Sequence, residues 1–411
     1  MKKSADLSPK VLFISNGHGE DLNSSLIAQS VRQLCPNLKI DAFPIVGAGK
    51  SYSNKQFTIV APLQPMPSGG IFYLNPLNFL KDIFSGLIGL TLKQFQKISQ
   101  IKNNYDFVVA VGDVVPLVFA YLTGKNYVSF IVSTSSYYEG TLKLPWLTKI
   151  LLRSSRCQQI FTRDQYTADD LQKQGFPQAI FSGYPIMDTL EYDEVKLSLT
   201  SKIPMIALLC GSRLPEALRN LQLQLKVVEK LIATSQQQWQ FYAALVPNIT
   251  EDDLRQIGSD SGWQYQDGRL SKTIANQIIE VHTTNKAFAE IVTKANIVLG
   301  MAGTAVEQAV GLGKPVIQTP SQGPQFTYRF AEAQMRLLGL NVITIDDHNN
   351  VDFICQQAVE QIEEIIKDQP FLNRCIANGK TRVGDKGGSQ GIAKQIIKFI
   401  ETASIEESGR T

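Results

Sequence analysis

Short apolar runs alternate with longer amphipathic stretches along almost the whole chain. The first run, VLFIS at 11–15, breaks into Asn16-Gly17-His18-Gly19 and then into a helical pattern. Further runs fall at 40–46, 107–111, 127–132, 158–162 and 179–182. Apolar runs of this length, bounded by turn signals, predict buried strands, and the 3.6-residue period between them predicts helices. Thr162-Arg163-Asp164-Gln165 predicts a capping box at the start of one such helix. After Tyr184-Pro185 the pattern fades into the polar stretch DTLEYDEVKLSLTSK and resumes with PMIALLC at 204–210. Strands are then predicted at 205–209, 240–245, 277–281, 296–300, 315–318 and 341–345. Strand–helix alternation of this kind is the mark of βα units around a parallel sheet. At 411 residues the chain also exceeds what one core sustains. The expectation is an α/β chain of two facing, Rossmann-like parallel-sheet domains at 1–187 and 204–385. A linker at 188–203 joins them, and a helix and tail at 386–411 close the chain.

Composition narrows the function. Net charge is only +3, which argues against a nucleic-acid partner held through many phosphates. The five cysteines are odd in number and form no CxxC, so neither a disulfide framework nor a zinc knuckle is indicated. The N-terminal MKKSADLSPK precedes too short an apolar run for a secretory signal, which predicts a cytoplasmic protein. Residues 107–124 are long and apolar enough to imitate a membrane span, but Asp113 and Pro116 fall near the middle. A central Asp costs about 2.5–3.5 kcal/mol in lipid, so a strand, a turn at Gly112-Asp113 and a short helix are expected instead. Residues 51–105 hold five lysines against one acid. The part from 65 to 102 mixes four of those lysines with Phe, Leu and Ile, a composition suited to lying on an anionic membrane surface.

In parallel α/β sheets ligands collect at the carboxyl ends of strands, so the strand-ending loops carry the candidate chemistry. Gly49-Lys50-Ser51 imitates the end of a P-loop, but the Gly required five residues earlier is Pro44. In ALLCGSRLPEAL, 207–218, a buried strand ends at Gly211-Ser212. Amides at the following helix start, with Arg213, suit a diphosphate, although an ordinary turn with a solvated Arg fits equally well. In IVLGMAGTAVEQAVGLGKPVI, 297–317, a helix starts at Gly303-Thr304. Glu307 in its first turn can accept from ribose hydroxyls or complete a capping box with Thr304.

The GSR loop followed by GxxGTxxEQAxxxGKPxI resembles the donor domain of GT-B glycosyltransferases. The likeness is nearest to lipid-A-disaccharide synthases, within them to a cyanobacterial set described as related to that enzyme. It spans nearly the whole chain, since NGHGED and the VGD turn fall where that family places its acceptor-side loops. The resemblance implies that Gly211, Ser212 and Arg213 hold the diphosphate of a UDP-sugar, with Met301, Gly303, Thr304, Glu307 and Gln308 around the sugar and ribose. It also implies acceptor contacts from Gly17, Gly19, Glu20 and Asp21, and a last helix that crosses back to the first domain. Two departures bear on the acceptor. The first loop reads GHGED where the synthases usually have a GExSGD-like loop, and Val114 stands where they carry a second Asp.

Glycosyl transfer needs a base, and His18 and Asp113 are the two candidates. Each also has a purely structural role open to it, His18 as a turn residue and Asp113 as a helix cap. No Asp-x-Asp occurs, which predicts metal independence, and no cofactor is called for. The function expected is an inverting transfer from a UDP-sugar donor to a lipid or lipid-linked acceptor at a membrane surface. A UDP-sugar 2-epimerase and an inactive nucleotide-sugar-binding protein are the alternatives.

Overall fold

Strands buried on both faces need apolar residues throughout, not alternation, and the runs at 11–14 and 107–111 are buried along their full length. The computed structural model describes residues 9–63, 87–192, 196–301, 303–320, 327–345 and 350–408. Most of the lysine-rich 65–102 stretch therefore lies outside the described residues. The chain divides into two units, Met1–Asp188 with Lys386–Thr411, and Thr189–Asp385.

The first unit carries β1 (Lys10–Ser15), β2 (Lys39–Pro44), β3 (Thr58–Ile59), β4 (Phe107–Val111), β5 (Asn126–Ile131), β6 (Cys157–Thr162) and β7 (Ala179–Phe181). They form one parallel sheet in the order β3-β2-β1-β4-β5-β6-β7. Its helices are α1 (His18–Leu34), α2 (Lys50–Ser53), α3 (Leu87–Ile101), α4 (Val114–Leu122), α5 (Trp146–Leu152) and α6 (Gln165–Lys173). The span-like stretch at 107–124 is thus a strand, a turn and a helix, and no described helix is long and apolar enough to cross a membrane. The expected capping box at Thr162 is corrected: β6 runs through Thr162, and Asp164 caps α6 by accepting from Thr167 N at 2.7 Å.

The second unit carries β8 (Met205–Leu209), β9 (Gln240–Ala244), β10 (Gln264–Gln266), β11 (Arg269–Ile274), β12 (Gln277–Thr284), β13 (Ile297–Gly300), β14 (Val316–Gln318) and β15 (Val342–Thr344). Their order is β10-β11-β12-β9-β8-β13-β14-β15. The six strands from β12 to β15 are parallel, and β10 and β11 add an antiparallel meander. The helices are α7 (Glu216–Thr234), α8 (Glu251–Ser261), α9 (Phe288–Lys294), α10 (Gly303–Gly311), α11 (Tyr328–Leu338), α12 (Val351–Ile365) and α13 (Gln369–Arg382). α11 packs on β15 and α13.

The last helix, α14 (Gly388–Ser408), belongs to the first unit and packs on α1. Asp188 fastens its start, accepting from Gly387 N at 2.5 Å and Ser389 N at 2.7 Å. Gly388 lies so close to the backbone of Gly183 and Tyr184 that a Cβ there would sit 2.6 Å from Tyr184.

A similar close approach occurs in the second unit, where α13 presses on α10. A Cβ on Gly379 would overlap the carbonyl oxygen of Val310. Gly379→Ala should therefore destabilise the chain by about 1–3 kcal/mol, lowering its melting temperature by roughly 2–4 °C per kcal/mol in calorimetry. An unchanged transition would show that the two helices can separate freely.

Candidate functional site

In the first sheet the strand order reverses between β1 and β4, and in such sheets the crevice at the reversal is where ligands bind. The loops there are Asn16–Gly19 after β1 and Gly112-Asp113 after β4. Gly17 is the buried N-cap of α1, whereas Gly19 is exposed and a Cβ on it would meet nothing within 4 Å, so the backbone is open to close approach at Gly19. His18 is the first residue of α1, and its side chain lies outside the described residues. Gly112 has φ +130 and packs on Glu20, whose Cγ would be 3.2 Å from an added Cβ. Glu20 accepts a hydrogen bond from the Ser133 hydroxyl at the end of β5. Asp113 is half-buried and caps α4, Oδ1 accepting from Val115 N at 3.0 Å.

Asp21 does not join the loop's accessible face. It is one helical turn into α1, on the side that meets the sheet, and is 1% exposed. Ser15 Oγ donates to its Oδ1 at 2.6 Å, and the Tyr52 phenol lies 2.7 Å from the same Ser15 oxygen. Asp21 Oδ2 has no hydrogen-bond partner among the described residues. Burial, opposed by the Ser15 hydrogen bond and assisted by the charge of Glu20, pushes the carboxyl up to about 7. Asp21 thus lies beneath the loop, bonded to Ser15.

In the second sheet the order reverses between β8 and β13. The two loops singled out in this half of the sequence follow those two strands and are brought together there. Gly211 has φ +97, and Ser212 and Arg213 are exposed. α7 starts at Glu216 behind Pro215, so these residues form a turn ahead of the helix and not its first amides. Arg213 makes no ion pair among the described residues. Gly303 opens α10, placing the exposed Thr304 within the first turn and not before it, and half-buried Glu307 one turn on.

Two residues grouped with the donor loop point elsewhere. Met301 is 1% exposed, and its amide donates to Leu209 O at 3.0 Å. Gln308 is 4% exposed and donates to Thr189 Oγ1 at 2.7 Å, committing its amide to packing. Both follow from helix and strand geometry that buries every inward position along a stretch otherwise rich in loop signals.

The structure also adds residues that the sequence reading missed. Buried Asn220 and Gln224 of α7 donate to Cys210 O at 3.0 Å and Leu299 O at 3.1 Å, satisfying carbonyls at the ends of both switch-point strands. A buried amide chain runs through the next strand: Thr344 Oγ1 donates to Gln318, Gln318 to Gln334, and Gln334 to Gly303 O at 3.2 Å. Its end holds the first residue of α10. Polar residues inside apolar runs, such as Gln318 directly after PVI, were the available signal.

No family model matches the chain, and no curated protein matches it. Solved structures match it over nearly its whole length. CalG4, the calicheamicin glycosyltransferase, superposes with a TM-score of 0.60 at 12% identity, covering 97% of this chain and 98% of its own. The UDP-GlcNAc 2-epimerase of Neisseria meningitidis, bound to UDP-GlcNAc, gives 0.54 at 15% identity over 95% and 100%. S. aureus MnaA, in a co-structure with UDP, gives 0.55 at 14% over 96% and 97%. The fold is GT-B.

Each unit of this GT-B chain thus presents backbone amides and a few polar side chains at its own switch point. In the second unit, exposed Ser212 and Arg213 beside the start of α10 suit an anion: amide dipoles and a planar guanidinium both favour phosphate oxygens. In the first, Asp113 offers a carboxylate at the end of β4. Among the described residues no group of three or more His, Cys, Asp or Glu side chains is placed to hold a metal.

Proposed function

We propose that this chain is an inverting, metal-independent glycosyltransferase. It moves a sugar of the N-acetylglucosamine type from a UDP-sugar to a lipid or lipid-linked acceptor, as its motif resemblance to lipid-A-disaccharide synthases implies. The observation that carries the reading is the convergence of the GSR and GT loops on the β8–β13 switch point. In this reading Gly211, Ser212 and Arg213 hold the diphosphate, Gly303 and Thr304 offer amides to it or to the sugar, and Glu307 accepts from the ribose hydroxyls. Asp113 takes the proton of the acceptor hydroxyl. The acceptor oxygen attacks the anomeric carbon as the bond to the diphosphate breaks, and UDP departs with its charge held by amides and Arg213.

A thermal-shift and calorimetric screen of UDP, GDP, ADP and their sugars tests the donor. The expected result is a selective UDP response. Arg213→Ala should weaken UDP binding by about 10- to 150-fold, the equivalent of one hydrogen-bonded charge of roughly 1.5–3 kcal/mol. Wild-type affinity in that variant would place the nucleotide elsewhere.

An epimerase reading is favoured by one observation, the presence of a UDP-GlcNAc 2-epimerase among structures of the same fold and near-complete coverage. NMR of UDP-N-acetylglucosamine incubated with the protein and no acceptor separates the two: a 2-epimer appearing would favour epimerase chemistry. For the acceptor side, α3 exposes Leu92 and Phe95 and carries Lys93 and Lys97, which suits a peripheral position on the cytoplasmic face of an anionic membrane.

A further inference from the structure

The GKP at the end of the GxxGTxxEQAxxxGKPxI stretch has no part in the site above. Lys314 stands directly before Pro315 and two residues before β14, at the amino end of that strand, whereas the donor loops follow carboxyl ends. Its backbone is fixed on both sides: the amide donates to Ala309 O at 2.9 Å, and the carbonyl accepts from Asn341 Nδ2 at 3.0 Å. Gly313 before it has φ +75 and lies so close to α13 that an added Cβ would sit 2.8 Å from Ile376 Cα. The root of the Lys314 side chain is therefore held in one place.

Strand register brings a second cation to the same end of the sheet. β13 and β14 run parallel with Val298 opposite Val316, so counting back two residues sets Asn296 opposite Lys314. Lys294, the last residue of α9, precedes Asn296 by two positions. Lys294 is exposed and Lys314 is half-buried. Neither makes an ion pair or a side-chain hydrogen bond among the described residues. The residues that meet the turn from α10, from α13 and from ahead of β15 are Ala309, Ile376, Gly379 and Asn341, none of them charged.

Two like charges at one end of a sheet, with no carboxylate to offset them, are not equally costly to keep. The half-buried side chain loses more hydration, so it gives up its proton first. Burial, and after it the charge of Lys294, accordingly holds the Lys314 amine below the usual lysine range. Near neutral pH the pair offers a larger share of neutral amine at Lys314 than an exposed lysine has, with a full ammonium at Lys294. A neutral amine is a nucleophile, and a nearby ammonium attracts an anionic reactant. That combination suits an acyl donor whose leaving group is a phosphate.

We propose that Lys314 is a site of covalent acylation by acyl phosphates, with Lys294 holding the phosphate. The Lys314 Nζ lone pair attacks the acyl carbon. The bond from that carbon to the bridging oxygen breaks, and inorganic phosphate departs with the electron pair, its charge held by the Lys294 ammonium. Nζ releases a proton to water, and nothing is oxidised or reduced. The product is a neutral amide, which ends the repulsion between the two side chains.

The test incubates the full chain near neutral pH with acetyl phosphate or, separately, with p-nitrophenyl acetate, a neutral ester carrying the same acetyl group. Peptide mass spectrometry follows the acetylation rate of each lysine, and the exposed Lys173 and Lys202 serve as references. With acetyl phosphate, Lys314 is expected to react faster than either reference by about fivefold or more. With the ester its lead should shrink by about twofold or more, because Lys294 has no anion to hold. Lys294→Gln should slow the acetyl phosphate reaction at Lys314 by about threefold or more and leave Lys173 unchanged. Inorganic phosphate, added at constant ionic strength, competes for Lys294 and should slow Lys314 in the wild type while sparing Lys173, a readout that needs no variant. The inference fails if acetyl phosphate modifies Lys314 no faster than the references, or if the neutral ester gives it the same lead. It also fails if Lys294→Gln or inorganic phosphate leaves the Lys314 rate unchanged. A melting curve of Lys294→Gln, an exposed position, establishes that the variant is folded.

Discussion

Asp113→Asn is expected to lower the transfer rate by about 10²- to 10⁴-fold while leaving UDP affinity unchanged, the signature of a lost general base. Asparagine is the informative replacement because Asp113 has a second task. Its Oδ1 accepts from Val115 N at the start of α4, and Asn caps helices as well as Asp does. The variant therefore keeps the cap and removes only the basicity. Asp113→Ala would lose both, adding about 1 kcal/mol of destabilisation that confuses the reading. Single-turnover release of UDP from a labelled donor, with calorimetric UDP binding in parallel, measures the two effects separately. A rate within about threefold of wild type would move the base to another group, with His18 the next to replace.

The stability of the first unit should fall as pH rises from about 4 to about 7, by up to about 4 kcal/mol, because of Asp21. Burial against the sheet, which outweighs the Ser15 hydrogen bond, pushes this carboxyl up to about 7 in the folded chain. In the unfolded chain it titrates near 4. Below pH 4 the group is neutral in both states and its contribution to stability is fully present. Between the two values the unfolded state ionises while the folded state holds its proton, so folding loses free energy with each unit of pH. The loss is complete once pH passes the folded value. Urea denaturation from pH 4 to 8 is expected to show this slope in the wild type and a flat response in Asp21→Asn, which cannot titrate. The same slope in both proteins would assign the effect to other groups. Asn retains the hydrogen bond with Ser15, so the comparison isolates the proton.

Much of this could be read from the order of residues. Strands buried on both faces must be continuously apolar, and VLFI, FVVAV and MIALL are visible as such without any coordinates. The loops that end them are equally visible, because a Gly-rich or charged break after an apolar run is a local event. One local signal was passed over: Asp267-Gly268, with φ +49 and +76, turns β10 into β11, and that dipeptide is a strong hairpin marker. The flanking QYQ and RLSKTI are too polar and too exposed to stand out by hydrophobicity.

Burial within an element was harder. Asp21 and Met301 sit among loop residues in sequence, yet the faces of α1 and of the β13 end turn both inward. Lateral strand order is harder still, because hydrophobic period depends on neighbours a few residues away while sheet order depends on pairings across the whole unit. Nothing in the local pattern requires β8 to lie between β9 and β13, or β1 between β2 and β4. Those pairings create the two switch points and place Gln224 against a carbonyl 75 residues away. The residue string by itself determined that this is a chain of parallel βα units whose strands end in Gly-rich and charged loops. Tertiary structure alone decided which loops meet and which polar atoms are left waiting, because those are consequences of contacts between segments far apart along the backbone.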